Sequence, residues 1–277
     1  MAHTGADVLL LVRAESLSRY PPHLRVESVV LGDFEVDVAV ASELDRTVDV
    51  LWVTPKATQL EAALELATRE AVGDAVVVPL LNGVDHVAIL RKRYAHVLAG
   101  AMRVESERVE AGLVRQKTPF ARVDLAPGPR RAEIAEELRA AGLDVSLAPD
   151  ESTLLWEKLA LLAPLALTTT ARGASVGTVQ ADPEWNQLLM RCHDESVAIG
   201  LAEKAALDAP RLRQGLVAFR GGEMRTSMQK DFDAGRPLEL DAIAGPIVRG
   251  GRRHGLATPT TQELVRRVEA RLAGAAR

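Results

Sequence analysis

Thr4-Gly-Ala-Asp-Val-Leu-Leu-Leu-Val-Arg13 places a short, continuous apolar run between a glycine turn and a cation. A run of this kind is the pattern of a parallel strand buried on both faces. Residues 48–53 and 75–81 repeat it, with helical patterns following each at about 57–70 and 84–94. Further strand-like pieces lie near 97–104, 112–116, 121–126 and 143–148, with a helical stretch at 130–141. This alternation predicts an α/β layer with a mostly parallel sheet. Within that plan residues 4–13 read as the second strand of a dinucleotide-binding domain. No first strand and no Gly-x-Gly-x-x-Gly loop stands before them. In such a domain the first strand is central, and the loop after it seats the cofactor pyrophosphate on a helix N-terminus. Met1-Ala-His-Thr-Gly reads as the tail of the first helix, so the expectation is a start site assigned too late. A polypeptide beginning there is expected to bind a dinucleotide weakly and to aggregate, because a central slot in the sheet stays unpaired.

From Asp150 onward the strand signal stops. Asp150 is placed to cap a helix through Trp156 and Lys158, and Asp182-Pro183-Glu184 carries a capping acid, proline at the first position and an acid in the first turn. More helices are expected near 209–219, 238–254 and 260–273. The predicted division is an incomplete Rossmann-like nucleotide-binding domain over 1–149 and an all-helical substrate and dimerisation domain over 150–277.

Composition narrows the function classes. The 277 residues carry a net charge of −4, with both signs spread along the chain and no basic stripe. A nucleic-acid-binding chain would show such a stripe, and with only 3% aromatic residues base-stacking platforms are not expected either, so no nucleic-acid partner is expected. Cys192 is the sole cysteine, which rules out an intramolecular disulfide and fits a reducing cytoplasm. No basic region followed by an apolar stretch opens the chain, so no secretory signal is read. The most apolar run, 159–167, is far shorter than the roughly 20 residues of a membrane helix and contains Pro164. No membrane partner is expected.

Six of the 34 basic residues are lysines, and Lys158 stands out among them. Leu155, Lys158 and Leu162 fall on one helix face that is apolar apart from the ammonium. The plainer reading is a helix-edge lysine snorkelling to water. The functional reading is a desolvated lysine with a lowered pKa acting as a proton donor. Ser227 and Glu239 flank a Gly-Arg-Pro turn. Alone, the serine reads as a surface or capping residue and the acid as a complement to a helix dipole. Asn82-Gly83 follows the run at 75–81, Lys56 that at 48–53 and Arg13 that at 8–12. Each is a turn residue in the plainer reading. Each also stands at the carboxyl end of a parallel strand, where ligands of such sheets bind. The six histidines show no metal-ligand spacing, so no metal is expected, and no Gly-x-Ser-x-Gly elbow occurs.

Taken together, these pieces resemble the ketopantoate reductase family. The ordered set is Trp156-Glu-Lys158-Leu, Ser175-Val-Gly177, Ser227-Met228-x-x-Asp231, Gly235-Arg-Pro-x-Glu239-x-Asp241 and Gly251-Arg-Arg-His-Gly255-Leu-Ala-Thr-Pro259. The resemblance implies a Rossmann-type N-terminal domain, a helical C-terminal domain of the 6-phosphogluconate-dehydrogenase-like type and an active site between them. It implies NADPH-dependent reduction of a 2-oxo acid to a 2-hydroxy acid, a step of pantothenate synthesis. Carried over by position, Lys158 would be the general acid. Glu239 would hold the substrate hydroxyl or orient the lysine, and Ser227 would hold the carboxylate. Asn82 and Lys56 would lie near nicotinamide and substrate, and Arg13 would pair with the 2′-phosphate. A homodimer through the helical domain is the expected assembly.

The chain departs from the family's pattern at several substrate positions. Asparagines expected four and eight residues after the lysine are Leu162 and Ala166 here. One before Gly177 is Val176, one five residues after the glutamate is Ala244, and Pro164 stands three residues before the usual proline. A substrate more apolar than ketopantoate is therefore expected. Two other readings are kept. One is a catalytically impaired relative serving as an interaction module. The other is a β-hydroxyacid dehydrogenase relative, to which the 227–241 block fits less well.

Overall fold

The first apolar run forms β1 (Leu9–Leu11) in the computed structural model, which describes residues 1–275. Contacts group the chain into two units. The first holds residues 1–55, 59–81 and 86–149, and the second holds 56–58, 82–85 and the chain from Asp150 onward.

The remaining strands of the first unit are β2 (His23–Ser28), β3 (Phe34–Asp37), β4 (Ala39–Ala41), β5 (Val50–Val53), β6 (Val76–Pro79), β7 (Gly100–Arg103), β8 (Ser106–Glu110), β9 (Leu113–Gln116), β10 (Arg122–Leu125) and β11 (Asp144–Leu147). Its helices are α1 (Leu60–Leu64), α2 (Arg69–Val72), α3 (His86–Arg93) and α4 (Arg131–Ala140). β5 and β6 pair in parallel, Val50 opposite Val76. A parallel bridge joins Val77 to Val97, ahead of β7, and β7 continues antiparallel to β10, which runs parallel to β11. The apolar side chains of β6, β10 and α4 meet in one core: Val76, Val78, Val123, Leu125, Ile134 and Leu138 are all buried. β1 pairs in parallel with β4 and stands apart from that sheet, so Leu9–Leu11 are half-buried rather than buried on both faces as their apolar run predicts; among the described strands, β4 is its partner and β6 is the partner of β5.

Two further sequence expectations are corrected in this unit. The strands do not form one mostly parallel sheet: among the described strands parallel pairs outnumber antiparallel ones only four to three, β7 runs antiparallel to β10, and β3-β2-β9-β8 form a separate sheet with antiparallel pairs at both ends. Its strands alternate charged and apolar residues, as in Arg25-Val-Glu27, and are largely solvent-facing, so they lack the continuous apolar runs that mark the buried strands. The helix expected over 57–70 is broken into α1 and α2. Leu64, Leu66 and Ala67 turn their carbonyls to Arg93 Nη2 (2.8 Å), the Leu44 amide (2.8 Å) and Tyr94 Oη (2.7 Å). Thr68 then caps α2 by accepting from the Ala71 amide at 3.3 Å.

The second unit is helical: α5 (Glu151–Arg172), α6 (Val176–Ala181), α7 (Pro183–Ala202), α8 (Ala209–Ala218), α9 (Ser227–Asp233), α10 (Leu240–His254) and α11 (Pro259–Ala275). Asp150 caps α5 through the Thr153 amide at 2.8 Å, and Asp182 caps α7 through the Glu184 amide at 3.0 Å. α5 is the central helix, packed against α7, α9, α10 and α11. Gly200 lets α7 approach α5: a Cβ there would lie 2.6 Å from Leu207 and 3.2 Å from Trp156. By length and composition α5 is the one described helix able to cross a membrane, but 72% of its most apolar window is buried, as in a core helix.

Pro164 interrupts α5 from within. Proline has no N–H, so the carbonyl of Ala160 loses its donor four residues on. His193 of α7 fills the gap, with Nδ1 3.0 Å from that carbonyl. The ring is buried, and burial lowers its pKa, which keeps it neutral with the proton on Nδ1.

Candidate active site

The stretch from Thr226 to Asp241 builds a rigid presentation of two carboxylates. Thr226 caps α9 by accepting from the Gln229 amide, and its hydroxyl lies 2.9 Å from that of Thr169 on α5. This fixes the turn that buries Met228, Gln229 and Asp231. Gly235, at φ +62°, ends α9 and folds the chain back. The Arg236 amide then reaches the Asp231 carbonyl (2.9 Å), and Arg236 Nε reaches Asp231 Oδ1 (2.8 Å). Lys56 Nζ pairs with Asp231 Oδ2. A buried carboxylate is tolerated only when paired in this way.

Glu239 stands at the start of α10 and is 5% exposed. Its Oε1 accepts from the Ala57 amide (2.8 Å) and its Oε2 from Asn82 Nδ2 (3.1 Å). Asn82-Gly83 lies directly on the first turn of α10. Gly83 has φ +88°, and a Cβ there would come within 2.4 Å of the Ala242 carbonyl. Pro246, four residues after Ala242, leaves that carbonyl without its helical donor, so the turn is open to close approach. Arg249 secures the same loop, bonding Asp85 (2.5 Å) and Asp241 (2.6 Å).

The structure thus joins three of the residues singled out from sequence: Asn82 bonds Glu239 directly, and Lys56 is held by Asp231 beside the Ala57–Glu239 bond. Lys158 sits half-buried on α5, between buried Leu155 and partly buried Leu162. Ser227 is exposed in the first turn of α9, and the capping hydroxyl belongs to its neighbour Thr226. Arg13 belongs to the first unit; it follows β1, is 64% exposed and pairs with Glu15 at 3.3 Å. Sequence reasoning gave no role to Asp231, Arg236, the Ala57 amide or the Asp85–Arg249–Asp241 bridge. The available signal was two acids eight residues apart across a glycine turn. Among the described residues no group of His, Cys, Asp and Glu could hold a metal ion.

Comparison with known proteins adds the decisive observation. The family model described as "Ketopantoate reductase PanE/ApbA" matches residues 1–130, and its C-terminal counterpart matches 152–272. The 2-dehydropantoate 2-reductase of Mycobacterium tuberculosis is 35% identical over 227 residues, covering 80% of this chain and 76% of its own. The chain belongs to the ketopantoate reductase family. The 2-dehydropantoate 2-reductase of Vibrio cholerae is 28% identical, covering 80% of this chain and 77% of its own. Among solved structures, a PanE/ApbA family ketopantoate reductase from Ralstonia eutropha superposes with a TM-score of 0.85 at 23% identity, over 98% of this chain and 93% of that one. D-mandelate dehydrogenase with NADH and anilino(oxo)acetate gives 0.88 at 22% identity, over 98% and 92%. These two share the fold: an N-terminal α/β domain followed by a helical domain. The ketopantoate reductase family is one of NAD(P)-dependent oxidoreductases acting on small molecules, and this chain is a member of it.

Proposed function

We propose that this protein reduces a 2-oxo acid to the corresponding 2-hydroxy acid with NADPH, the substrate being 2-dehydropantoate or a relative with a more apolar side chain. The observation that carries the reading is the Asn82 Nδ2 to Glu239 Oε2 hydrogen bond at 3.1 Å. Asn82 comes from the loop that leaves the carboxyl end of β6, where ligands of parallel sheets bind. It meets the 227–241 block by which the chain resembles reductases.

The residues present fit the two ends of the cofactor. Arg13 offers an exposed guanidinium at the carboxyl end of β1, suited to a 2′-phosphate, while Lys56 and Asn82 stand at the carboxyl ends of β5 and β6, suited to the nicotinamide side. A bound nicotinamide would supply the hydride. Hydride addition builds negative charge on the former carbonyl oxygen; Lys158 stabilises that charge and delivers the proton. Ser227 binds the carboxylate, and Glu239 serves the substrate hydroxyl or the lysine. Domain 1–149 binds the nucleotide, and 150–277 binds substrate and forms the dimer.

The test is consumption of NADPH absorbance with a panel running from ketopantoate to bulky aromatic 2-oxo acids. Turnover of at least one member supports the reading, and its preferred side chain names the substrate. NADPH oxidation by none, with no NADPH binding by calorimetry, would favour a non-enzymatic interaction module.

A further inference from the structure

Asp231 and Glu239 are the two buried carboxylates of the 227–241 block, and each of their four oxygens accepts a hydrogen bond. Three of those bonds come from two loops: Lys56 Nζ and the Ala57 amide from the loop after β5, Asn82 Nδ2 from the loop after β6. We propose that Asp231 and Glu239 are positioning residues: a paired clamp that sets the two loops and fixes the orientation of the Asn82 amide. This rests on the reductase reading for what the loops do, and on geometry alone for the clamp.

The chemistry of the pair is specific. A carboxylate is acceptor-only, so Glu239 forces Asn82 to turn its NH2 inward and leaves Oδ1 for a ligand that donates. A buried carboxylate has to be matched by donors, and here two loops supply them. The carboxylates are held at fixed separation by the Gly235 turn and by Arg236, which occupies the remaining Asp231 oxygen. Lys56 is thereby aimed by Asp231, while its neighbour's amide is tied to Glu239, so the β5 loop is gripped at two consecutive residues. Through Asn82, Glu239 acts on the site in addition to the role proposed above.

A polarity-reversal cycle tests the clamp. Asn82→Asp sets two carboxylates against each other. Glu239→Gln keeps an acceptor for the Ala57 amide and turns an NH2 toward residue 82. The double variant restores a donor–acceptor pair with the polarity inverted, and the carboxylate introduced at position 82 still presents an oxygen outward. The expected result is that Asn82→Asp lowers both melting temperature and kcat/KM, and that adding Glu239→Gln recovers about tenfold in kcat/KM, within the range of coupling between contacting residues. Recovery in both readouts marks positioning, since without the clamp the second substitution would only add its own loss. Additive effects in both melting temperature and kcat/KM would overturn the clamp. Were the unmodified protein to reduce no 2-oxo acid, the reductase reading would fail while the melting-temperature cycle still decided the clamp.

Discussion

Replacing His193 by Leu removes the ring nitrogen that bonds the Ala160 carbonyl and puts an apolar side chain of similar bulk in its place. Ala160 is fully buried, so water does not substitute. Pro164 cannot, because it has no N–H. A buried acceptor left unmade costs about 1–3 kcal/mol, and that is the expected loss in urea unfolding. Pro164→Ala supplies the missing amide in the helix itself. In that background His193→Leu is expected to cost under about 1 kcal/mol, giving a coupling of roughly 1–2 kcal/mol between positions that share one acceptor. His193→Asn, whose amide reaches the place of Nδ1, is expected to keep most of the stability. The ring also sets a pH signature. Burial lowers its folded pKa below the usual value near 6.5, so the unfolded chain binds the proton first. Stability from this residue is therefore complete above about pH 6.5 and declines as pH falls toward the lowered folded value. His193→Asn removes that slope. Equal costs of His193→Leu with and without Pro164 would show that the ring does not replace the amide that proline lacks.

Three further outcomes follow from the geometry. Gly83→Ala forces a side chain at φ +88° and meets the Ala242 carbonyl, whereas Gly32→Ala, at φ +79° with open space around it, carries backbone strain alone. Strain of this kind costs about 1–3 kcal/mol, and thermal unfolding is expected to show the larger loss at Gly83. The Cys192 thiol, its pKa pushed up to about 12 by burial, stays unmodified by a disulfide reagent in the native protein and reacts on unfolding; labelling of the native state would contradict its placement. Arg13→Ala is expected to lower the preference for NADPH over NADH by about 10–100-fold, the worth of a charge-assisted contact, measured as the ratio of kcat/KM values.

The apolar strands and capped helices were legible because their signals are local. The run at 8–12, the Asp150 and Asp182 caps and the continuous strands at 48–53 and 75–81 all contain their own reason for folding. In the β3-β2-β9-β8 sheet only β9 gave a strand signal; the other strands escape such a reading because they are half-exposed with charged residues in alternation, and the middle pair, β2 with β9, joins residues nearly ninety apart in sequence, Arg25 with Leu113. The break at Ala67 escapes it because the competing donors, Arg93 and Tyr94, lie on a later element. At the site, sequence indicated Lys56, Asn82 and Glu239 as separate weak signals. What it lacked was the bonding between them, since an acid at a helix start reads as a dipole complement until its partners are seen. Asp231 illustrates the same limit: its importance rests on Lys56, 175 positions away.

The measurement that bears most directly on the account is the rate of 2-oxo-acid-dependent NADPH oxidation by the protein and by its Lys158→Ala variant, each confirmed folded. The expected result is turnover in the first and a kcat lower by about 10²–10⁴ in the second, the usual contribution of a positioned general acid. Equal rates in the two proteins would contradict it.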